Sequence, residues 1–373
     1  MSETNIPKIE KNIEEKDGVL TFTLSGINVS LANAIRRTIL SDIPIVGLKT
    51  MPYDQNTCNI ISNTSRLHNE IIKHRLSCIP VHISDLTIPL KNYLLEVNVE
   101  NLTDTIIEVT TEHFKIKNLV NGEYLNVKDV REIFPPDDQT GDFIILTRLN
   151  PKISNEIPGE KINLNCQFTI VTSKEDFVFN AVSCCSYGFT QDDGPRYEEE
   201  LMKKRQEWKN QNLSKEDMEY QEKDWKLLDA KRIYKKNSYD FIIETIGIYT
   251  NRELVHKACD IINTKLLNLK EQIDTDKIEI KPSINTIKNC YDVELVGIND
   301  TIGRIVKDLL YEKFFEELKT MTYCGFKIMH PHDEKSLLRI AYTENIDKHQ
   351  IKTNIISRIE FAMEIYNLIK KQI

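Results

Sequence analysis

Two stretches of this chain repeat each other, and the repeat narrows the possible folds more than any local window does. Leu20–Leu40 reads LTFTLSGINVSLANAIRRTIL and Tyr291–Tyr311 reads YDVELVGINDTIGRIVKDLLY, each an alternating strand, then Gly-Ile-Asn, then a helical run. Leu20, Phe22 and Leu24 alternate with Thr21, Thr23 and Ser25, as a strand with one buried face requires, and Tyr291, Val293 and Leu295 do the same. Gly26 and Gly297 then admit a backbone bend, while Asn28 or Ser30, and Asn299 to Thr301, offer oxygens to the unpaired N–H groups of a helix start. Leu31, Ile35 and Ile39 form an apolar stripe on the first helix, and Ile302, Val306 and Leu310 form its counterpart on the second. Each copy also closes on a long amphipathic helix. The first carries Leu254, Ala258, Ile261, Ile262, Leu266 and Leu269, and the second carries Ile351, Ile355, Ile359, Ala362, Met363, Tyr366 and Ile369. Two modules of one build, each with an apolar helix face to cover, are expected to pair about a pseudo-two-fold axis, as isologous dimers do.

The 373 residues, 40% of them hydrophobic, suffice for two or three domains with their own cores. Acidic residues outnumber basic ones by 57 to 49, giving a formal charge of -8, the reverse of a basic nucleic-acid footprint. Protein partners are therefore expected, with DNA met only indirectly. No run approaches the roughly 20 apolar residues of a membrane span, and the N-terminal MSETNIPKIEKNIEEK is too charged for a signal peptide, so the expectation is an intracellular chain without a membrane. Cysteines at 58, 78, 166, 184, 185, 259, 290 and 324 lack paired CxxC spacing and are expected to be reduced, mostly buried thiols. Glycine is sparse, and neither a GxGxxG nor a GxxxxGK(S/T) loop is present to cradle a phosphate.

Certain motifs go beyond periodicity. Leu31-Ala32-Asn33-Ala34-Ile35-Arg36-Arg37-Thr38-Ile39-Leu40-Ser41 resembles the LANALRRILLS signature of RNA polymerase α-like subunits: bacterial α, archaeal D and the third-largest eukaryotic subunit. Ser65 to Val81 resembles the same family's SVLHDEFIAHRLGLIPL, and Asp176 to Phe189 and Phe241 to Gly247 are similar to later family segments. The second copy resembles the smaller partner, archaeal L or the eleventh eukaryotic subunit. Gly297 to Val306 is similar to EDHTLGNLL, and Cys324 to Pro331 to AGYKVPHP. Together the resemblances cover most of the chain outside Thr87 to Gly141 and the charged stretch 195–236.

The resemblance implies an α+β fold of two dimerisation modules in pseudo-two-fold pairing, the first with an inserted β-rich domain. Residues 1–83 and 166–283 are expected to form the first module, 84–165 the insert, and 284–373 the second, partner-type module. Within the insert, Tyr93 to Val99, Ile106 to Thr110 and Phe143 to Leu149 read as strands between turn-rich segments. The 195–236 stretch, with Trp208 and Trp225 among balanced charges, reads either as a solvated helical excursion or as a docking element with tryptophan anchors. Relatives often carry a cysteine cluster or iron–sulfur site in the insert, but no cysteine lies between Cys78 and Cys166, so no metal or cofactor is expected. Fusion of the two halves, with a Lys-, Ile- and Asn-rich composition, points to the polymerase of a large DNA virus, acting in the host cytoplasm and virion.

The implied function is a non-catalytic assembly platform that binds the two largest polymerase subunits and small accessory subunits for transcription. Such a chain is not expected to form a homodimer, because it already contains both halves of the pair. Arg36, Arg37, His74 and Arg75 are expected at a large-subunit contact, Arg37 first among them, since a guanidinium fork suits carboxylates or carbonyls. The alternative for either helix arginine is an exposed charge bordering the apolar face. One enzymatic rival rests on His330-Pro331-His332-Asp333-Glu334, an HxHD pattern found in metal-dependent hydrolases, but a catalytic metal needs three or more converging ligands. A freestanding transcription factor is the other rival, and it would need a basic face or a recognition motif. His68 and His74 read as helix residues rather than ligands.

Overall fold

The computed structural model describes residues 6–10, 13–154, 156–284, 286–330 and 332–373 as a mixed α+β molecule. From the N-terminus come β1 (Lys8–Ile9), β2 (Glu14–Lys16), β3 (Val19–Ser25), α1 (Val29–Ser41), β4 (Pro44–Gly47), β5 (Cys58–Asn63) and α2 (Asn69–Ser77). Next are β6 (Tyr93–Glu100), β7 (Ile107–Thr110), β8 (Lys115–Asn118), α3 (Val127–Ile133), β9 (Ile145–Leu149), β10 (Lys161–Gln167), β11 (Thr169–Thr172) and β12 (Val182–Gln191). The remainder is α4 (Pro195–Asn210), α5 (Lys215–Leu227), β13 (Tyr234–Thr245), α6 (Asn251–Asp274), β14 (Glu279–Pro282), β15 (Cys290–Val296), α7 (Asp300–Leu310), β16 (Met321–Ile328), β17 (Lys335–Tyr342) and α8 (Lys348–Gln372). Two compact units result: Met1–Ile39 with Cys184–Glu244 and Asn251–Ile373, and Leu40–Ser183 with Thr245–Thr250. Among the described residues no helix is long and apolar enough to cross a membrane.

In the first unit one sheet runs β1-β3-β13-β12, with β2 also paired to β3. Leu20, Phe22 and Leu24 are buried while the residues between them are half-exposed, because successive side chains of a strand point to opposite faces. Register sets Phe22 opposite Phe241, and their rings stack with centroids 5.1 Å apart. Gly26 leaves the strand at a φ of +77°, and the Ile6 carbonyl oxygen lies so close that no Cβ would fit. Of the two expected caps for α1, Asn28 serves: its Oδ1 accepts from the Leu31 N–H at 3.1 Å, while Ser30 donates its hydroxyl to that same oxygen.

The other sheet of this unit runs β14-β15-β17-β16. Val293 and Leu295 are buried, but Tyr291 is only half-buried, since its hydroxyl reaches Asn345 Oδ1 at 2.5 Å and the Ile346 carbonyl at 3.0 Å. Cys290 beside it is buried instead. Asn299 caps α7, its Oδ1 accepting from the Ile302 N–H at 3.2 Å. Past Leu310 the helix widens into a π-helical turn, Tyr311–Glu317, which the apolar stripe does not foretell.

The charged stretch folds as a helical hairpin of α4 and α5 within the first unit. Leu201, Trp208, Trp225, Ala230 and Ile233 form a small core, and Tyr197, Leu213 and Met218 pack against it. Trp208 and Trp225 are only 8% and 6% exposed, so the alternative of tryptophans as outward anchors does not hold. Their area is spent holding the hairpin together. Arg205 also bridges the two helices, gripping Glu222 through two bonds of 2.8 Å, and with Lys226 it lowers that carboxyl to about 2.

The second unit contains the sheet β5-β10-β6-β8 and the strand pairs β4-β11 and β7-β9. The three runs expected as strands are β6, β7 and β9, with Ile107 of β7 opposite Leu149 of β9. Leu95, Val97, Leu146, Ile162 and Leu164 share one core with Ile72 and Leu76 of α2. Because β10 pairs with β5 on one side and β6 on the other, this compact unit extends beyond 84–165 in both directions.

Candidate functional site

The six stripe residues are all buried: Leu31, Ile35 and Ile39 on α1, and Ile302, Val306 and Leu310 on α7, none more than 2% exposed. Hydrogen bonds within the first unit link the two copies of the repeat. Asn28 Nδ2, beside the cap of α1, donates to Glu312 Oε1 in the π-helical turn at 3.1 Å. The Tyr366 hydroxyl donates to the Leu31 carbonyl at 3.2 Å. Burial lifts the Tyr366 phenol well above its ordinary value, so it stays protonated and able to donate.

Helix α8 packs along α6. Their buried faces contain Leu254, Ala258, Ile262, Leu266 and Leu269 on α6, and Ile351, Ile355, Ile359, Ala362, Tyr366 and Ile369 on α8. Ile261 and Met363, expected on those faces, are half-exposed, whereas Val255, Cys259, Ile273 and Ile365 are buried and belong to them. Polar pairs border the seam: Lys270 with Glu360 at 2.7 Å, Lys370 with Asp260 at 2.6 Å, and Asn263 Nδ2 donating to Asn367 Oδ1 at 2.9 Å. Lys352 pairs with Asp276 as well. At the far end of α8, Gln372 bonds the Pro7 carbonyl and the Ile9 N–H, each at 2.8 Å, and Arg252 donates to the Ile373 carbonyl at 2.6 Å.

The four residues expected at a large-subunit contact occupy different settings. Arg37 is exposed on α1. Arg36 is half-buried and turns its guanidinium back on its own helix, with Nε and an Nη 3.0 and 2.9 Å from Asn33 Oδ1. His74 is exposed in the last turn of α2, and Arg75 beside it donates to the Ile145 carbonyl of β9 at 2.7 Å. His68 stands at the N-cap of α2 without a capping bond from its side chain.

For the enzymatic rival, the His330 ring folds onto its own turn. Its Nδ1 accepts from the His332 N–H at 3.2 Å, with the ring centroids 5.2 Å apart. Pro331, which completes that motif, lies outside the described residues. Among the described residues no three His, Cys, Asp or Glu side chains converge on a common point. Burial pushes the thiols of Cys185, Cys259 and Cys324 up to about 12, which leaves them protonated and poor nucleophiles. The most developed feature of the first unit is thus a buried seam between the repeat copies with paired charges at its rim.

Comparison with known proteins bears on that seam. Residues 21–266 match the family described as the RNA polymerase Rpb3/Rpb11 dimerisation domain. The DNA-directed RNA polymerases I and III subunit rpac1 of Dictyostelium discoideum is 25% identical over 190 residues, covering 47% of this chain and 50% of that protein. The DNA-directed RNA polymerase subunit Rpo3 of Pyrococcus furiosus is 34% identical over 100 residues, 27% of this chain and 33% of its own length. Its counterpart from Archaeoglobus fulgidus is 25% identical over 183 residues, 49% of this chain and 61% of its own length. The chain therefore spans between a third and about three fifths of these three relatives.

Proposed function

Because this chain belongs to the RNA polymerase Rpb3/Rpb11 dimerisation-domain family, we propose that it is a non-catalytic assembly subunit of a DNA-dependent RNA polymerase. In this reading the chain contains both members of the family's pair, with 284–373 as the smaller, partner-type module fused behind the larger one. The observation that carries it is the seam of α6 and α8, tied to α1 by the bond from Tyr366 to Leu31. The family match ends at residue 266, so support for the second module comes from the repeat and from this packing.

Internal pairing covers the stripes on α1 and α7 within one chain. Burying six such side chains contributes about 10 kcal/mol gross, at roughly 1.5–3 kcal/mol each before ordering costs, and linkage in one chain raises the effective concentration of the second module. A homodimer is then not needed. The paired modules offer surfaces to the two largest polymerase subunits and to small accessory subunits, with Arg36, Arg37, His74 and Arg75 at the large-subunit contact. DNA is reached only through the assembled enzyme.

Affinity purification of the tagged chain, with nuclease present and no added nucleic acid, tests the reading. Two very large polymerase subunits are expected to co-purify. Recovery of the chain alone from cells that are actively transcribing would overturn the proposal. Light scattering of the isolated chain is expected to give the mass of one chain at micromolar concentration, and a stable doubled mass would reject internal pairing.

A further inference from the structure

Cys58 opens β5, the edge strand of the sheet in the second unit, and stands opposite Cys166 of β10 in antiparallel register. The neighbouring pair is Thr57 and Gln167, and there the Gln167 N–H donates to the Thr57 carbonyl at 3.2 Å. Bonded and non-bonded pairs alternate along an antiparallel ladder, so Cys58 and Cys166 occupy a non-hydrogen-bonded position. At such positions the Cα atoms stand about 4.5 Å apart with side chains drawn together, inside the roughly 4.4–6.8 Å span that a disulfide requires. Both side chains are buried as free thiols at facing positions of the two strands. The Thr57 hydroxyl lies 3.5 Å from the Cys166 sulfur and 3.0 Å from the Gln167 carbonyl, which steadies that end of the pair.

We propose that Cys58 and Cys166 are a redox pair that closes to a cross-strand disulfide when the chain meets hydrogen peroxide. The Cys58 sulfur attacks one peroxide oxygen, the O–O bond breaks, and the departing hydroxide takes the Cys58 proton to become water. Cys58 is then a sulfenic acid. The Cys166 sulfur attacks the Cys58 sulfur, the S–O bond breaks, and the hydroxyl leaves with the Cys166 proton as a second water. Two thiols lose two electrons and two protons, and one peroxide is reduced to two waters.

The surroundings assign the order of attack. The hydrogen bond from Cys166, with a smaller contribution from Lys73, outweighs burial and holds the Cys58 thiol below its ordinary value, while the same coupling lifts Cys166. The pair gives up its first proton more readily than its second, and Cys58, the member nearer the strand's end, is the one placed to meet the oxidant first. Position supplies the access: among the described residues β5 pairs on one side only, Cys58 is its first residue, and Asn56 and Thr57 before it are partly exposed. The bridge fastens β5 to its neighbour β10.

The test uses the full chain carrying Cys78→Ser, which removes the exposed thiol. After peroxide treatment and denaturation, alkylation is expected to find two fewer free thiols than in the reduced control, and dithiothreitol restores both. Peptide mapping without reductant is expected to recover Cys58 and Cys166 joined. Adding Cys166→Ala halts the reaction at a Cys58 sulfenic acid that dimedone captures. If that variant fails to fold, mapping of the parent decides by itself. Full alkylation of both cysteines after a peroxide dose that oxidises exposed methionines overturns the proposal, as does a bridge from either one to a different cysteine.

Discussion

The hydroxyl of Tyr366 donates to the main-chain carbonyl of Leu31 at 3.2 Å, so the last helix of the chain is hydrogen-bonded to the first helix of the repeat. Both residues are at most 1% exposed, and a phenol buried that deeply needs a partner. One residue therefore supplies two separable contributions, a ring that fills the seam and a bond that fixes where α8 sits on α1.

Substitution separates the two. Tyr366→Phe is expected to cost about 1 kcal/mol, the net value of one buried bond. Tyr366→Ala is expected to cost about 3–5 kcal/mol, because it removes the ring and leaves a cavity. Urea unfolding measures both. Equal losses would mean that the ring contributes little beyond its hydroxyl.

The buried acids make stability fall at high pH. Burial holds the Tyr366 phenol well above its ordinary value and pushes Tyr342 up to about 12, against 10.0 when exposed. The unfolded chain thus releases these protons first, so the stabilisation is complete below about pH 10 and is lost as pH rises through the folded values. Cys259 and Cys324, raised to about 12 from 9.0, begin the decline about a unit earlier. A urea midpoint that is level to about pH 8.5 and then falls is the expected profile. A level profile to about pH 11 contradicts it.

A pair on the outer face of the second sheet acts in the opposite direction. Arg339 holds Asp292 through bonds of 2.6 and 2.8 Å, Ser283 adds one of 2.9 Å, and together they keep that carboxyl below its usual 3.8. The stabilisation is present above the unfolded value and is lost as pH falls through the folded one. Partial exposure limits it to about 1 kcal/mol. Asp292→Asn is expected to lose that amount near neutrality, with the gap from wild type narrowing as pH drops below about 4. Arg339→Lys keeps the charge without the fork and is expected to lose most of it. A gap that stays constant with pH would assign the effect to packing.

Gly303 in α7 has the Phe326 ring of β16 against it, where a Cβ would stand. Gly303→Ala is therefore expected to destabilise by about 1–3 kcal/mol, although alanine is the better helix former by about 1 kcal/mol. Phe326→Leu in the same chain should recover part of the loss in urea unfolding. Failure to recover would locate the strain in the helix backbone.

Arg37 and Arg75 are expected to separate under alanine substitution. Arg75→Ala loses the bond to the Ile145 carbonyl and should melt earlier, by about 1 kcal/mol in stability. Arg37→Ala should leave the isolated chain folded and recover less of a large polymerase subunit in pull-down. If Arg37→Ala melts far below wild type, its role is internal and the contact assignment is wrong.

The local parts of this fold were legible because they follow from spacing. Alternation located β3, Gly-Ile-Asn located both turns, and the stripes located the buried faces of α1 and α7. Finer choices depended on partners far along the chain. Tyr291 continues the alternation, yet it stays half-exposed to reach Asn345 and Ile346. Met363 and Ile365 are equally apolar, and the spacing alone does not say which of them is buried. Arg75 reads like any helix-end cation until β9 brings the Ile145 carbonyl beside it. Tyr366 was legible as a face residue, and a tyrosine among isoleucines signals an acceptor nearby, but nothing in the sequence identifies Leu31 as that acceptor.

The hairpin of α4 and α5 has a spectroscopic consequence. Trp208 and Trp225 are the chain's two tryptophans, and both sit in its small core. Their emission is a private signal of that hairpin, silent about the repeat seam and about the second unit. Circular dichroism, by contrast, averages over every helix in the chain. Where the fluorescence and dichroism transitions coincide, the hairpin unfolds with the body that carries it; where fluorescence moves first, the interval between them measures how far the hairpin opens by itself.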